Sequence, residues 1–106
     1  MNYFSIPGFR SIKKQSIKDA IQMTAEYFDI PEQRILSKGR SQSVVKARQM
    51  LSYYLHTELG VKPGLTGDYL NRDRTTIMYC IQRVRDICYV DSDYKKEYTD
   101  YKKFLT

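Results

Sequence analysis

Histidine occurs once in this 106-residue chain, at His56, and cysteine twice, at Cys80 and Cys88. Three such residues do not make up a tetrahedral zinc set. The two cysteines fall in one predicted helix, about 12 Å apart along its axis, which is too far for a disulfide. They read as small buried hydrophobes of a reducing cytoplasm. No run approaches the roughly 20 apolar residues of a membrane span, and no signal peptide is visible. A G-x-x-x-x-G-K-[ST] phosphate loop is missing, as is any pairing of a nucleophile with a base. An enzyme is therefore the weakest function class, and neither a cofactor nor a metal is expected. Strand-like alternation is missing as well.

One further absence is local. Between Glu32 and Glu58 there is no acid, while Arg34, Lys38, Arg40, Lys46 and Arg48 fall inside the interval. Acids return after Asp86, where Asp91, Asp93, Glu97 and Asp100 nearly balance four lysines. The net charge of +6 is thus concentrated in one part of the chain. Such a face suits a polyanionic partner, and a plain solvated surface is the alternative. With 42% hydrophobic and 28% charged residues the chain has the make-up of one globular domain.

What is present has helical spacing. Residues 1–14, with Pro7 and Gly8 and no clear period, read as an extended arm. Ser16 with Asp19 resembles a capping box for a first helix whose inner face is Ile17, Ala20, Ile21, Thr24, Tyr27 and Phe28. Asp29-Ile30-Pro31 stops that helix, and Pro31 suits the first position of a short helix through Ile35 and Leu36. Ser37 to Ser43 is a polar loop. Ser41 or Ser43 can cap the next helix, carrying Val44, Ala47, Leu51, Tyr54, Leu55 and Leu59, with Gly60 at its left-handed end. Lys62-Pro63-Gly64 is expected to be a turn, and Leu65 to Leu70 a short helix. Ile77, Cys80, Ile81, Val84 and Ile87 make the buried stripe of the following helix. Ser92 caps a last helix with Tyr94, Tyr98, Tyr101 and Leu105. The expected fold is all-α, a helical bundle, with residues 15–90 as its main domain and 91–106 as a tyrosine-rich helix packed on it or extending it.

The segment NRDRTT, Asn71 to Thr76, joins two of these helices with more polarity than a cap needs. A short helix, a tight turn and a longer helix with a polar first turn make a helix-turn-helix. In that motif the start of the second helix meets base edges in the major groove. Asp73 can cap the helix and accept from a base amino group. Arg74 can fork onto guanine, and the methyls of Thr75 and Thr76 can meet thymine. Asp-X-Thr-Thr is also ordinary capping chemistry, and that alternative stays open on pattern alone.

ILSKGRSQSVVKARQM (Ile35 to Met50) and GDYLNRDRTTI (Gly67 to Ile77) resemble the C-terminal DNA-binding domain, domain IV, of the bacterial chromosomal replication initiator DnaA. That family has a run such as LLSKSR...VARQ and a signature close to GGRDHTTV. SIKDAIQMTAEYFDIPEQ (Ser16 to Gln33) is similar to the first helices of the domain. The resemblance covers about Ser16 to Ile87 and implies a Trp-repressor-like helical fold that binds a DNA box of the form TTATNCACA. By resemblance, Arg40 enters the minor groove, and Asp73, Arg74 and Thr75 read the major groove. Arg48, Gln49 and Thr76 match positions that contact the backbone, and His56 falls near a lysine that meets phosphate. Lys38 and Arg72 complete the expected backbone set. The alternative for Arg48 is a helix arginine lying along its own core. Arg74 replaces the signature histidine, and Asn71 stands for two glycines. An ATPase domain precedes this one in the initiator, so the chain is expected to be a detached DNA-binding domain.

The implied function is sequence-specific binding of double-stranded DNA in replication control or transcription, in the cytoplasm of a bacterium or encoded by a phage. The competing reading is a protein-interaction module or decoy that regulates the host initiator through the tail tyrosines, which can equally pack on their own domain.

Overall fold

A computed structural model describes residues 14–106 of the chain, with side chains from Ser16 onward. The expected N-terminal arm lies outside the described residues, apart from Lys14. Among the described residues there are six helices and no strand: α1 (Lys14–Phe28), α2 (Glu32–Leu36), α3 (Gln42–Thr57), α4 (Pro63–Leu70), α5 (Arg74–Val90) and α6 (Ser92–Leu105). The fold is all-α, as the periodicity implies.

Helix α3 is the hub, packing on α1, α2, α4 and α5. Its Val44, Ala47, Met50, Leu51 and Leu55 are all but sealed from solvent. Ile17, Ala20, Ile21 and Ala25 of α1 meet them from one side, and Ile77 and Ile81 of α5 close the core from the other. The stripe on α5 ends at Val84; Ile87 and Cys88 are only half-buried. Helix α6 lies on α1 and α5 and drives Tyr101, fully buried, between Tyr27, Phe28 and Tyr54, with ring centroids 5.5–6.0 Å apart. The Tyr101 hydroxyl pairs with Thr24 Oγ1 at 2.7 Å, and Thr24 Oγ1 in turn lies 2.6 Å from the Ala20 carbonyl. Burial raises the Tyr101 phenol far above its ordinary range, so it stays neutral. Tyr98 and Tyr101 therefore belong to the core of the bundle, and Tyr94 packs against it half-buried.

Several helix starts differ from the expected ones. Helix α1 is already under way at Lys14, so Ser16 is an exposed residue of its first turn and not its cap. Pro31 is the cap residue of α2, one position earlier than expected. Lys62-Pro63-Gly64 is no free turn: Pro63 opens α4, where its missing N–H costs nothing. Asp91 caps α6 in place of Ser92, accepting from the amides of Asp93 and Tyr94. A carboxylate is favoured over a neighbouring hydroxyl there because it accepts two amides beside the positive helix end. Ser41 holds the cap position of α3 without a side-chain bond, and Gly60 is left-handed at φ 69° as expected.

Candidate nucleic-acid interface

The junction between α4 and α5 is built by three residues. Asn71 takes the left-handed conformation, φ 59°, that ends α4, which a pair of glycines would otherwise supply. Gly67 lies against the turn so closely that a Cβ there would overlap the Arg72 carbonyl oxygen. Asp73 then caps α5, its carboxylate accepting from the Thr76 amide at 2.8 Å. Hydrogen bonding from the Thr76 hydroxyl, and then from its amide, holds the Asp73 carboxyl below its ordinary range.

Arg74 and Thr75 project from the first turn of α5 and are exposed, while Thr76 is half-buried toward α3. The Arg74 stem runs beside Gly64 at the start of α4. Against this turn stands the loop after α2. Lys38, Gly39, Arg40, Arg48, Asn71, Arg72, Asp73 and Thr76 line one open concavity. Two segments about thirty residues apart in sequence thus share one basic site, with Asp73 its only acid.

The loop is held from below. Arg48, only 7% exposed, donates to the carbonyls of Ile35 at 3.0 Å and Ser37 at 2.9 Å. Arg72 donates to the same Ser37 oxygen, and Asn71 donates to Leu36 O at 3.3 Å. Burial, and then the Arg72 charge, pull the Arg48 guanidinium below its ordinary range. Burial likewise lifts the neighbouring Cys80 thiol, which stays neutral and packs as a hydrophobe.

The bacterial DnaA protein helix-turn-helix family matches residues 17–84, well over half of the chain. The chain belongs to that family. It is 27% identical to the chromosomal replication initiator protein DnaA of Bacteroides fragilis over 94 residues, which are 88% of this chain and 20% of that protein. Identity to the initiator of Corynebacterium jeikeium is 37% over 68 residues, 62% of this chain and 12% of that one. The Mycobacteroides abscessus initiator is 30% identical over 84 residues, 79% and 16% respectively. The chain thus spans a fifth or less of the length of these curated relatives.

Within the DnaA helix-turn-helix frame, Lys38, Arg40, Arg72, Asp73 and Thr76 are brought together, with Arg74 and Thr75 beside them. Arg48 is also there, but its guanidinium is turned inward on protein carbonyls, which matches the alternative of a helix arginine lying on its own core. Gln49 sits in a neighbouring hollow with Arg40 and Arg83. His56 does not line this site; it is half-buried near the end of α3, with its Nδ1 buried and without a hydrogen-bond partner. Lys46, counted in the acid-free interval, is engaged by Glu97 of α6 at 3.0 Å to both carboxylate oxygens.

Three residues of the same surface went unremarked in the sequence. Met78 and Tyr79 are 45% and 61% exposed, one turn beyond Arg74 and Thr75 on α5. Arg83 is exposed one turn further on. Their signal is that they stand off the buried stripe: Tyr79 follows Thr75 at i+4, on the face turned away from the core. Among the described residues no helix is long and apolar enough to cross a membrane.

Proposed function

We propose that this chain binds double-stranded DNA in a sequence-specific manner, with α5 in the major groove and the Ser37–Arg40 loop at the adjacent minor groove. The observation that carries the reading is the meeting of the SKGR loop and the NRDRTT turn at one open, basic site. A bundle needing only a capped helix has no use for exposed Arg74, Thr75 and Tyr79 beside a cationic loop. Arg40 is placed for a narrow, negative groove, where an arginine gains most. Asp73, Arg74 and Thr75 serve as major-groove readers, and Tyr79 extends the reading face by a turn. Lys38, Gln49, Thr76 and Arg83 meet the backbone, which sets register and carries no sequence information. The relatives are chromosomal replication initiators, so the site is of the DnaA-box class and the role is in control of replication initiation or of transcription, in a bacterial or phage-infected cytoplasm.

The reading as a protein-interaction module has less support from the tail, because Tyr98 and Tyr101 are core residues and Tyr94 packs against the core, although Tyr89 is 90% exposed.

Selection from a pool of random duplexes tests the proposal. The wild-type chain is expected to enrich a short box related to TTATNCACA, altered at the base or bases that Arg74 reads. The Arg74→His variant is expected to move the enriched box back toward the unmodified sequence. A pool that stays random after repeated rounds contradicts the proposal. Enrichment of the same box by both proteins contradicts the role given to Arg74.

A further inference from the structure

The carbonyl oxygens that end a helix have no partner within it. In α2 they are served by two other elements. Arg48 of α3 donates through Nε to Ile35 and through Nη2 to Ser37, and Nη2 also lies 3.3 Å from Arg34 O. Its Nη1 and Nη2 both come within 3.4 Å of Gly39 O. From the turn of the helix-turn-helix, Arg72 reaches Ser37 O and Asn71 reaches Leu36 O. Every carbonyl from Arg34 to Ser37 is thereby tied to the hub helix or to the turn.

A guanidinium has five N–H donors and no acceptor. All three nitrogens of Arg48 are engaged with protein carbonyls in a pocket that leaves the residue 7% exposed. A phosphate binding through Nε or Nη2 would displace those carbonyls and leave them unsatisfied, whereas Nη1 meets Gly39 O at 3.4 Å. Two like charges, Arg48 and Arg72, are meanwhile brought to one oxygen, Ser37 O, an arrangement that ordinary helix packing would avoid.

We propose that Arg48 and Arg72 are positioning residues for Arg40, a clamp that fastens the Ser37–Arg40 loop to the start of α5. The clamp sets a fixed distance between the arginine of the minor groove and the readers of the major groove. Arg48 then acts on DNA only through the loop, and not as the phosphate contact that its place in the motif implies. The inference rests on the DNA-binding reading above. It explains why both arginines donate to carbonyls at the start of the loop, Arg48 to Ile35 and Ser37 and Arg72 to Ser37. Rigid support of this kind matters because a contact misplaced by about 1 Å loses most of its value.

A double-mutant cycle on the full chain tests it, using the duplex that the wild type enriches. Arg40→Ala is expected to weaken binding about tenfold or more and to reduce the slope of log affinity against log salt by about one. Arg48→Met, which keeps the length of the stem, is expected to cost a similar factor and the same single unit of slope. Combining the two is expected to add almost nothing, because the second change removes what the first has already made useless. Arg48→Lys is expected to recover only part of the loss, since one ammonium cannot serve carbonyls spread along the loop.

Additive losses, with the slope reduced by about two in the double variant, overturn the clamp and make Arg48 a phosphate contact. Arg48→Met that binds like the wild type overturns it too. If Arg48→Met does not fold, Arg72→Met releases the clamp from its exposed side, and the same cycle with Arg40→Ala decides. A wild-type chain that enriches no duplex overturns the DNA-binding reading itself, a result distinct from additivity.

Discussion

Arg74 puts a permanent charge and a forked donor at the first turn of α5, where the family resemblance has a histidine. A guanidinium forks onto guanine O6 and N7, a contact worth about 1–3 kcal/mol in discrimination against the wrong base. Replacing it should change preference at specific bases, as the selection with Arg74→His measures. Asp73 has two duties, and they can be separated. Asparagine caps a helix about as well as aspartate, so Asp73→Asn should keep the Thr76 amide satisfied and leave the thermal midpoint nearly unchanged in neutral buffer. It should nevertheless shift the base preferred opposite position 73 toward adenine, which asparagine reads with two bonds. A selection in which the box is unchanged removes Asp73 from the readers. The same variant has a signature in acid. Because the folded carboxyl lies below its unfolded value, its contribution is present above about pH 4 and is lost as pH falls through the folded value. The midpoint of Asp73→Asn should therefore fall less steeply than that of the wild type between neutral and acidic pH.

At the scale of elements, the turn between α4 and α5 depends on backbone contact as much as on side chains. Gly67→Ala sets a methyl against the Arg72 carbonyl, which cannot swing away as a side-chain tip would. A cost of about 1–3 kcal/mol is expected from such overpacking, read as a lower thermal midpoint. Binding should weaken further than stability alone explains, since Arg72 must move. Helix α6 is equally part of the structure. Tyr101→Ala should cost about 3–5 kcal/mol, whereas Tyr101→Phe should cost about 1 kcal/mol because Thr24 keeps the Ala20 carbonyl as a partner. Removing 91–106 uncovers Tyr27, Phe28 and Tyr54 together and should leave no cooperative unfolding transition by circular dichroism. A truncated chain that melts sharply near the wild-type midpoint contradicts the core role of α6.

These elements also separate what was legible in the sequence from what was not. The helices of the core, the left-handed Gly60 and the Asp73 cap follow from local chemistry, so spacing and residue type reveal them. Ser16 and Ser92 misled because any of several adjacent polar residues can cap, and packing beyond the window decides which does. Pro63 misled because the same residue ends a turn and starts a helix. An inward Arg48 was legible only as an alternative, since its partners lie 9 to 14 residues back along the chain and only the fold brings them beneath it. The loss of Lys46 to Glu97, 51 residues away, is hidden for the same reason. Met78 and Tyr79 are apolar by type, yet their place off the stripe marks them as exposed.

Across the whole molecule, charge is divided. Glu97 of α6 pairs with Lys46 of α3, while Lys38, Arg40, Arg72 and Arg83 are left around the site and Arg74 is exposed beside it. The cations around the site favour a polyanion and make its capture sensitive to salt. On the proposed function this face reads sequence and does more than attract phosphate. The most direct test is an equilibrium titration of the full chain against the enriched duplex and a shuffled duplex of equal composition, repeated across salt concentrations. Binding to the enriched duplex should be about a thousandfold tighter or more, with both affinities falling steeply as salt rises. Equal affinity for the two duplexes at every salt concentration, or no binding to either, contradicts it.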